Sequence, residues 1–96
     1  MAGYTDAAFR AVCIEAGAPL CFTEMVSAEA LARGSRGTLR LLERAPGETD
    51  VAFQVFASAP GAAAAAVRLI APLAPLLIAL NCGCSVPKVL RTGCGA

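Results

Sequence analysis

The stretch Asn81-Cys82-Gly83-Cys84-Ser85-Val86-Pro87-Lys88 gathers two thiols, an amide and a cation into one short segment. It follows the apolar run Leu76 to Leu80, a pattern that predicts a strand end, a polar loop and then the start of a short helix. In α/β proteins ligands bind at the carboxyl ends of parallel strands, so a thiol there is a better reactive group than one inside a helix. Cys84 is the candidate. Gly83 lets the backbone approach a flat ligand closely, and Asn81 offers a donor and an acceptor on one side chain, which suits the edge of a heterocyclic amide. The competing interpretation is a tight turn with a packed cysteine, because cysteine is among the most buried residue types and is usually inert there. Spacing alone leaves both open.

The elements that position this loop read as alternating helix and strand. Thr5 or Asp6 caps a helix through Phe9, Val12, Cys13 and Ala16, whose spacing puts them on one face, and Gly17 ends it. A short apolar strand covers Pro19 to Thr23. Ser27 caps a helical turn, and Leu39, Leu41 and Leu42 predict a second helix that stops near Ala45-Pro46-Gly47. Val51 to Phe56 is the next strand. Ser58 caps an Ala-rich helix from Pro60 to about Ala71, and Leu76 to Leu80 is the last strand. Strands separated by helices imply right-handed parallel crossovers, hence an α/β fold.

Ninety-six residues make at most one small domain, which buries only about two-thirds of its unfolded surface and is marginal on its own. The chain is 57% hydrophobic and 16% charged, which fits elements meant to be covered on both faces. Net charge is +1, so bulk charge does not mark a nucleic-acid binder; the absence of histidine excludes His acid/base catalysis and His metal ligation. Five cysteines without a secretory signal read as reduced cytosolic thiols, and Cys13 and Cys21 as core residues. Cys82, Cys84 and Cys94 do not have a usual zinc or iron–sulfur spacing, so no metal is expected. Ala62 to Leu80 is long and apolar enough to suggest a bilayer span, but Arg68, Pro72 and Pro75 interrupt it, so no membrane segment is expected.

At four places in order the chain resembles the tRNA-dihydrouridine synthases, flavin enzymes that reduce particular uridines of transfer RNA. Met1-Ala2-Gly3-Tyr4-Thr5-Asp6-Ala7-Ala8-Phe9-Arg10 is similar to the family's opening flavin loop and first helix, and Phe22-Thr23-Glu24-Met25-Val26-Ser27-Ala28 to its second strand and loop. Gln54-Val55-Phe56-Ala57-Ser58 is similar to the third strand end, and Asn81 to Lys88 to the loop that carries the catalytic cysteine. The resemblance implies the amino-terminal half of a (β/α)8 TIM barrel that lacks the first strand and all that follows the fourth strand's loop. Such a half barrel has open sheet edges, so self-association of the fragment is expected.

The resemblance further implies FMN as cofactor, NADPH or NADH as reductant, tRNA as partner and a cytoplasmic setting. Met1, Ala2 and Gln54 would contact the flavin, Asn81 and Lys88 would bind substrate, and Cys84 would be the acid that completes uracil reduction. A thiol with an ordinary pKa of about 8.5 is largely protonated at neutral pH, which suits that role. Taken alone, Gln54 reads as a strand residue satisfying neighbouring backbone. The sequence departs from the family at Cys82, where methionine is usual, at Ser85 for proline, at Ala79 for aspartate and at Ala57 for glycine. Arg33, Arg36, Arg40 and Arg44 recur at intervals that align them along one helix side, either as a solvated face balanced by Glu29, Glu43 and Glu48 or as a phosphate-contacting stripe that Lys88 extends. The alternative for the whole chain is a non-catalytic remnant or a small apolar membrane-associated or interaction protein.

Overall fold

The structure is a computed structural model that describes residues 3–94. Its centre is a three-stranded parallel sheet in the order β1 (Cys21–Ser27), β2 (Val51–Phe56), β3 (Leu77–Leu80). Each strand is followed by helix: α2 (Ala28–Ala32) and α3 (Arg36–Arg40) after β1, α4 (Pro60–Ile70) after β2, and α5 (Pro87–Leu90) after the loop that leaves β3. α1 (Ala7–Glu15) precedes β1. The β-branched and aromatic run of β2 takes the middle place because its Val51, Phe53 and Val55 face is wholly apolar and Gln54 alone interrupts the other, and Phe53 is only 1% exposed. Its Val51, Phe53 and Val55 pack with Val26 of β1, Leu31 of α2, and Ala66 and Ile70 of α4 into one core. Truncating Phe53 to alanine removes the core's largest apolar side chain.

Several boundaries differ from the expected ones, each for a local reason. β1 runs four residues past Thr23 because the polar pair Thr23-Glu24 is satisfied inside the fold. Pairing with β2 shifts register between Phe22 and Met25, and there the Thr23 hydroxyl enters the ladder: it accepts from Gln54 N at 3.1 Å and donates to Glu24 O at 3.0 Å. Asp6 caps α1, its Oδ1 accepting from Phe9 N at 2.8 Å, and Gly17 turns the chain away at φ +95°. The apolar face expected of α1 is not buried: Phe9 and Val12 are exposed and Cys13 is half-buried, whereas Arg10 is 1% exposed. Cys21 is also half-buried, and burial, with Cys13 and Glu48 nearby, pushes its thiol pKa up, so it stays protonated.

The turn capped by Ser27 is the short helix α2, and the helix expected after Gly34 is α3, which ends at Arg40 rather than near Ala45. Gly34 takes φ +70° between them and Ser35 caps α3, so the four arginines do not share one helical face. Arg44 instead clamps three backbone carbonyls, those of Thr49 (2.6 Å), Leu73 (3.0 Å) and Ala74 (2.6 Å). Ala74 holds a left-handed φ of 51°, the turn between the 3-10 segment Ala71–Leu73 and β3. The N-cap of α4 is Ala59 rather than Ser58, with Pro60 supplying the preset first-turn geometry.

Ser58 is used elsewhere. Its backbone N and its hydroxyl both donate to Glu29 Oε1, at 2.8 and 2.7 Å, while Ser27 Oγ donates to Glu29 Oε2 at 3.0 Å. Glu29 therefore bridges the start of α2 to the end of β2 and is not part of a solvated face. The Ser58 amide first, then the two hydroxyls, bring its pKa from the ordinary 4.5 down to about 2 despite partial burial. Because the folded value is depressed, this stabilisation is complete above about pH 4.5 and is lost as pH falls towards 2. Glu29→Gln is expected to cost about 1–2 kcal/mol at pH 7, screening at this partly exposed site included, and to flatten the acid limb of stability between pH 5 and 2. Urea midpoints measured across that range check it; an unaltered acid limb counts against the bridge.

Candidate functional site

Asn81 is the first residue beyond β3, and its backbone N donates to Val55 O at 2.8 Å, extending the ladder by one step. Its side chain then does two things. Nδ2 donates to Gln54 Oε1 at 2.7 Å, and Oδ1 accepts from Gly83 N at 3.0 Å. The second bond is an Asx turn over Asn81-Cys82-Gly83, directly before Cys84. Gln54 is the residue of β2 whose alternation places it opposite the helix-facing Phe53 and Val55, in register with Met25 of β1 and Ala79 of β3. Two of the singled-out polar residues are thus in direct contact, from neighbouring strands. With the Asn81 amide committed at both ends, one Asn81 N–H and both Gln54 N–H groups have no partner among the described residues.

Cys84 is half-buried and not in a disulfide; Cys82 is exposed, its Sγ 3.8 Å from Leu80 O. Cys82 and Asn81 line a cleft of about 390 Å³ with Ala57, Ser58 and Pro60, and Cys84 is not among its lining residues. The two thiols of the C-x-C pair therefore see different surroundings. Lys88 lies on α5, whose first turn begins with Pro87 and which buries Val89 beneath it. It lines a second cleft, of about 660 Å³, over the carboxyl ends of β1 and β2. Met1 and Ala2 lie outside the described residues. Among the described residues no group of three His, Cys, Asp or Glu side chains converges on one point, and no helix is long and apolar enough to cross a membrane.

Sequence reasoning missed the group that ties the opening loop to this end of the sheet. The Glu24 carboxylate accepts from Gly3 N at 2.7 Å and from Thr5 N at 3.2 Å, so a buried acid in β1 fixes the backbone before α1. Arg10 donates to Thr5 O at 2.6 Å, to Glu43 O, and by two bonds to Glu48, Nε to Oε1 at 2.8 Å and Nη2 to Oε2 at 3.0 Å. Glu48 Oε2 also accepts from Ala45 N at 2.8 Å. Burial opposes ionisation of Glu48, but the bonds from Arg10 and the Ala45 amide outweigh it and hold the carboxyl below its usual range. The available signal was a Glu inside an apolar strand run and an Arg at the fourth position after a helix cap.

Comparison with known proteins places the chain. The family described as Dihydrouridine synthase (Dus) matches residues 1–96. A probable tRNA-dihydrouridine synthase of Treponema pallidum (strain Nichols) is 47% identical over 97 residues, covering 100% of this chain and 28% of that protein. The probable tRNA-dihydrouridine synthase of Aquifex aeolicus (strain VF5) is 42% identical over 92 residues, 95% of this chain and 29% of that protein. The tRNA-dihydrouridine synthase B of Xanthomonas campestris pv. campestris is 31% identical over 96 residues, 100% of this chain and 29% of that protein. The chain spans about three-tenths of the length of these curated relatives. With the match running the whole length of the sequence and three ordered parallel strands behind its cysteine loop, the chain belongs to the dihydrouridine synthase family.

Proposed function

We propose that this chain is the amino-terminal part of the (β/α)8 catalytic barrel of a cytoplasmic tRNA-dihydrouridine synthase, which reduces uridine in tRNA to 5,6-dihydrouridine with FMN and NADPH or NADH. The observation that carries the reading is the Asn81–Gln54 bond at the strand ends, directly before the Cys84 loop. The donor set suits a flavin ring edge: Gln54 presents N–H groups to ring acceptors, and Asn81, by occupying Gln54 Oε1, fixes which end of that amide faces the ligand. Met1 and Ala2 belong to the same opening segment as Gly3 and Thr5, which Glu24 holds, and would meet the flavin from there.

A bound flavin, held at its ring edge by Gln54, would supply the hydride for one carbon of the uracil 5,6 double bond. Cys84 supplies the proton to the other carbon, its S–H bond breaking as the C–H bond forms, and the resulting thiolate takes a proton from solvent. Asn81 uses its remaining N–H on the uracil edge, and Lys88 binds the substrate backbone. The full-length protein is expected to purify with FMN and to form dihydrouridine in unmodified tRNA when NADPH or NADH is added, read by mass spectrometry of the nucleosides. A flavin-bound protein that leaves every uridine intact would overturn the reading.

A further inference from the structure

Of the chain's seven arginines and one lysine, two point to a common task. Arg10 is sealed in its pair with Glu48, and Arg44 is spent on three carbonyls. Arg36 and Arg40 border a different cleft, of about 690 Å³, none of whose lining residues comes from the carboxyl end of a strand. Arg33 and Lys88 line the same cleft of about 660 Å³, the one roofed by α5 over the ends of β1 and β2. Neither side chain has a hydrogen-bond or ion-pair partner among the described residues. The carboxylate in that cleft, Glu29, is ionised but has both oxygens held by Ser58 and Ser27, and it makes no ion pair with either cation among the described residues. Half-buried Met25 and Phe56 supply an apolar floor.

We infer that this cleft is the seat of a tRNA backbone phosphate next to the target uridine, with Arg33 and Lys88 as its two cationic contacts. The inference deepens the functional reading above and rests on it. The physical case is positional: two unpaired cations from different elements, one capping α2 and one on α5, line one cleft at the sheet end that carries Gln54, Asn81 and the cysteine loop. The volume falls in the range of nucleotide-sized pockets, about 300–1,000 Å³. A guanidinium and an ammonium on either side of a phosphodiester neutralise it by charge-assisted bonds, and release of two condensed counterions makes the contact salt-dependent. The arginine stripe imagined on a single helix is thereby replaced by one arginine and one lysine brought together by the fold.

A phosphate seat at this place has two possible occupants, the RNA backbone and the flavin's own phosphate, and one experiment separates them. Full-length R33Q/K88Q, with R36Q/R40Q beside it, is assayed for tRNA affinity between about 50 and 200 mM salt and for FMN content as purified. The R33Q/K88Q protein is expected to retain its flavin, while the slope of log affinity against log salt flattens by about 1.5 and R36Q/R40Q keeps the slope of the unaltered protein. Loss of flavin with an unchanged slope would assign the cleft to the flavin phosphate and overturn the inference. A slope unchanged in R33Q/K88Q, or flattened equally in R36Q/R40Q, overturns it too, while the functional reading stands. If the unaltered protein shows no salt-dependent tRNA binding, both fall.

Discussion

Replacing Cys84 by alanine in the full-length protein is expected to reduce dihydrouridine formation by about a hundredfold or more, the usual loss when a positioned general acid is removed. Flavin reduction by the nicotinamide needs no acid near the uracil and is expected to proceed at its original rate. Cys82→Ala is expected to cost little, because the Asx turn made by Asn81 and Gly83 separates the two thiols and leaves Cys82 exposed, against Leu80 O. The measurement is single-turnover oxidation of the prereduced flavin by tRNA, followed by absorbance, beside steady-state nicotinamide consumption. If Cys82→Ala abolishes uridine reduction and Cys84→Ala does not, the acid has been assigned to the wrong thiol.

The order of helices and strands was legible because apolar runs, Gly17, Pro60 and the caps carry their own local signals. Asp6 and Ser27 cap as expected, and β2 occupies Val51–Phe56 as its β-branched and aromatic run requires. What stayed hidden was tertiary. Thr23 and Glu24 look like a strand terminus in sequence, and only a partner strand and the distant backbone of Gly3 and Thr5 make them strand residues. Ser58 looks like a cap until Glu29, at the start of α2, claims it. The arginine periodicity was real, but Gly34 and Ser35 break the helix that would have aligned it. The same holds at the candidate site: the sequence singles out Gln54 and Asn81 separately, whereas their mutual bond depends on the register that pairs Gln54 with Ala79 and Val55 with Leu80.

Arg10→Ala is expected to be among the most destabilising single changes in the chain. The guanidinium and its Glu48 partner are 1% and 0% exposed, so the substitution leaves a carboxylate buried without its counter-charge and removes the bonds Arg10 donates to Thr5 O and Glu43 O. Breaking a buried pair from one side costs about 3–5 kcal/mol. A small domain has roughly 5–15 kcal/mol in all, so the variant is expected to lose most of its cooperative urea transition at pH 7. Arg10→Lys keeps the charge but not the two-bond fork, and is expected to fall between the two. The double change Arg10→Met with Glu48→Leu removes both charges and is expected to recover part of the loss, though not all, because the bonds these side chains made to Thr5 O, Glu43 O and Ala45 N are lost as well. The pH dependence has a definite sign. Glu48's folded pKa is depressed, so the pair's contribution is present above the ordinary carboxylate range and is lost as pH falls through the lowered value. Urea midpoints for the four chains at pH 7 and in mild acid test this directly. An Arg10→Ala chain that unfolds within about 1 kcal/mol of the unaltered one would show that water reaches Glu48 and that the pair does not anchor α1 to the segment before β2.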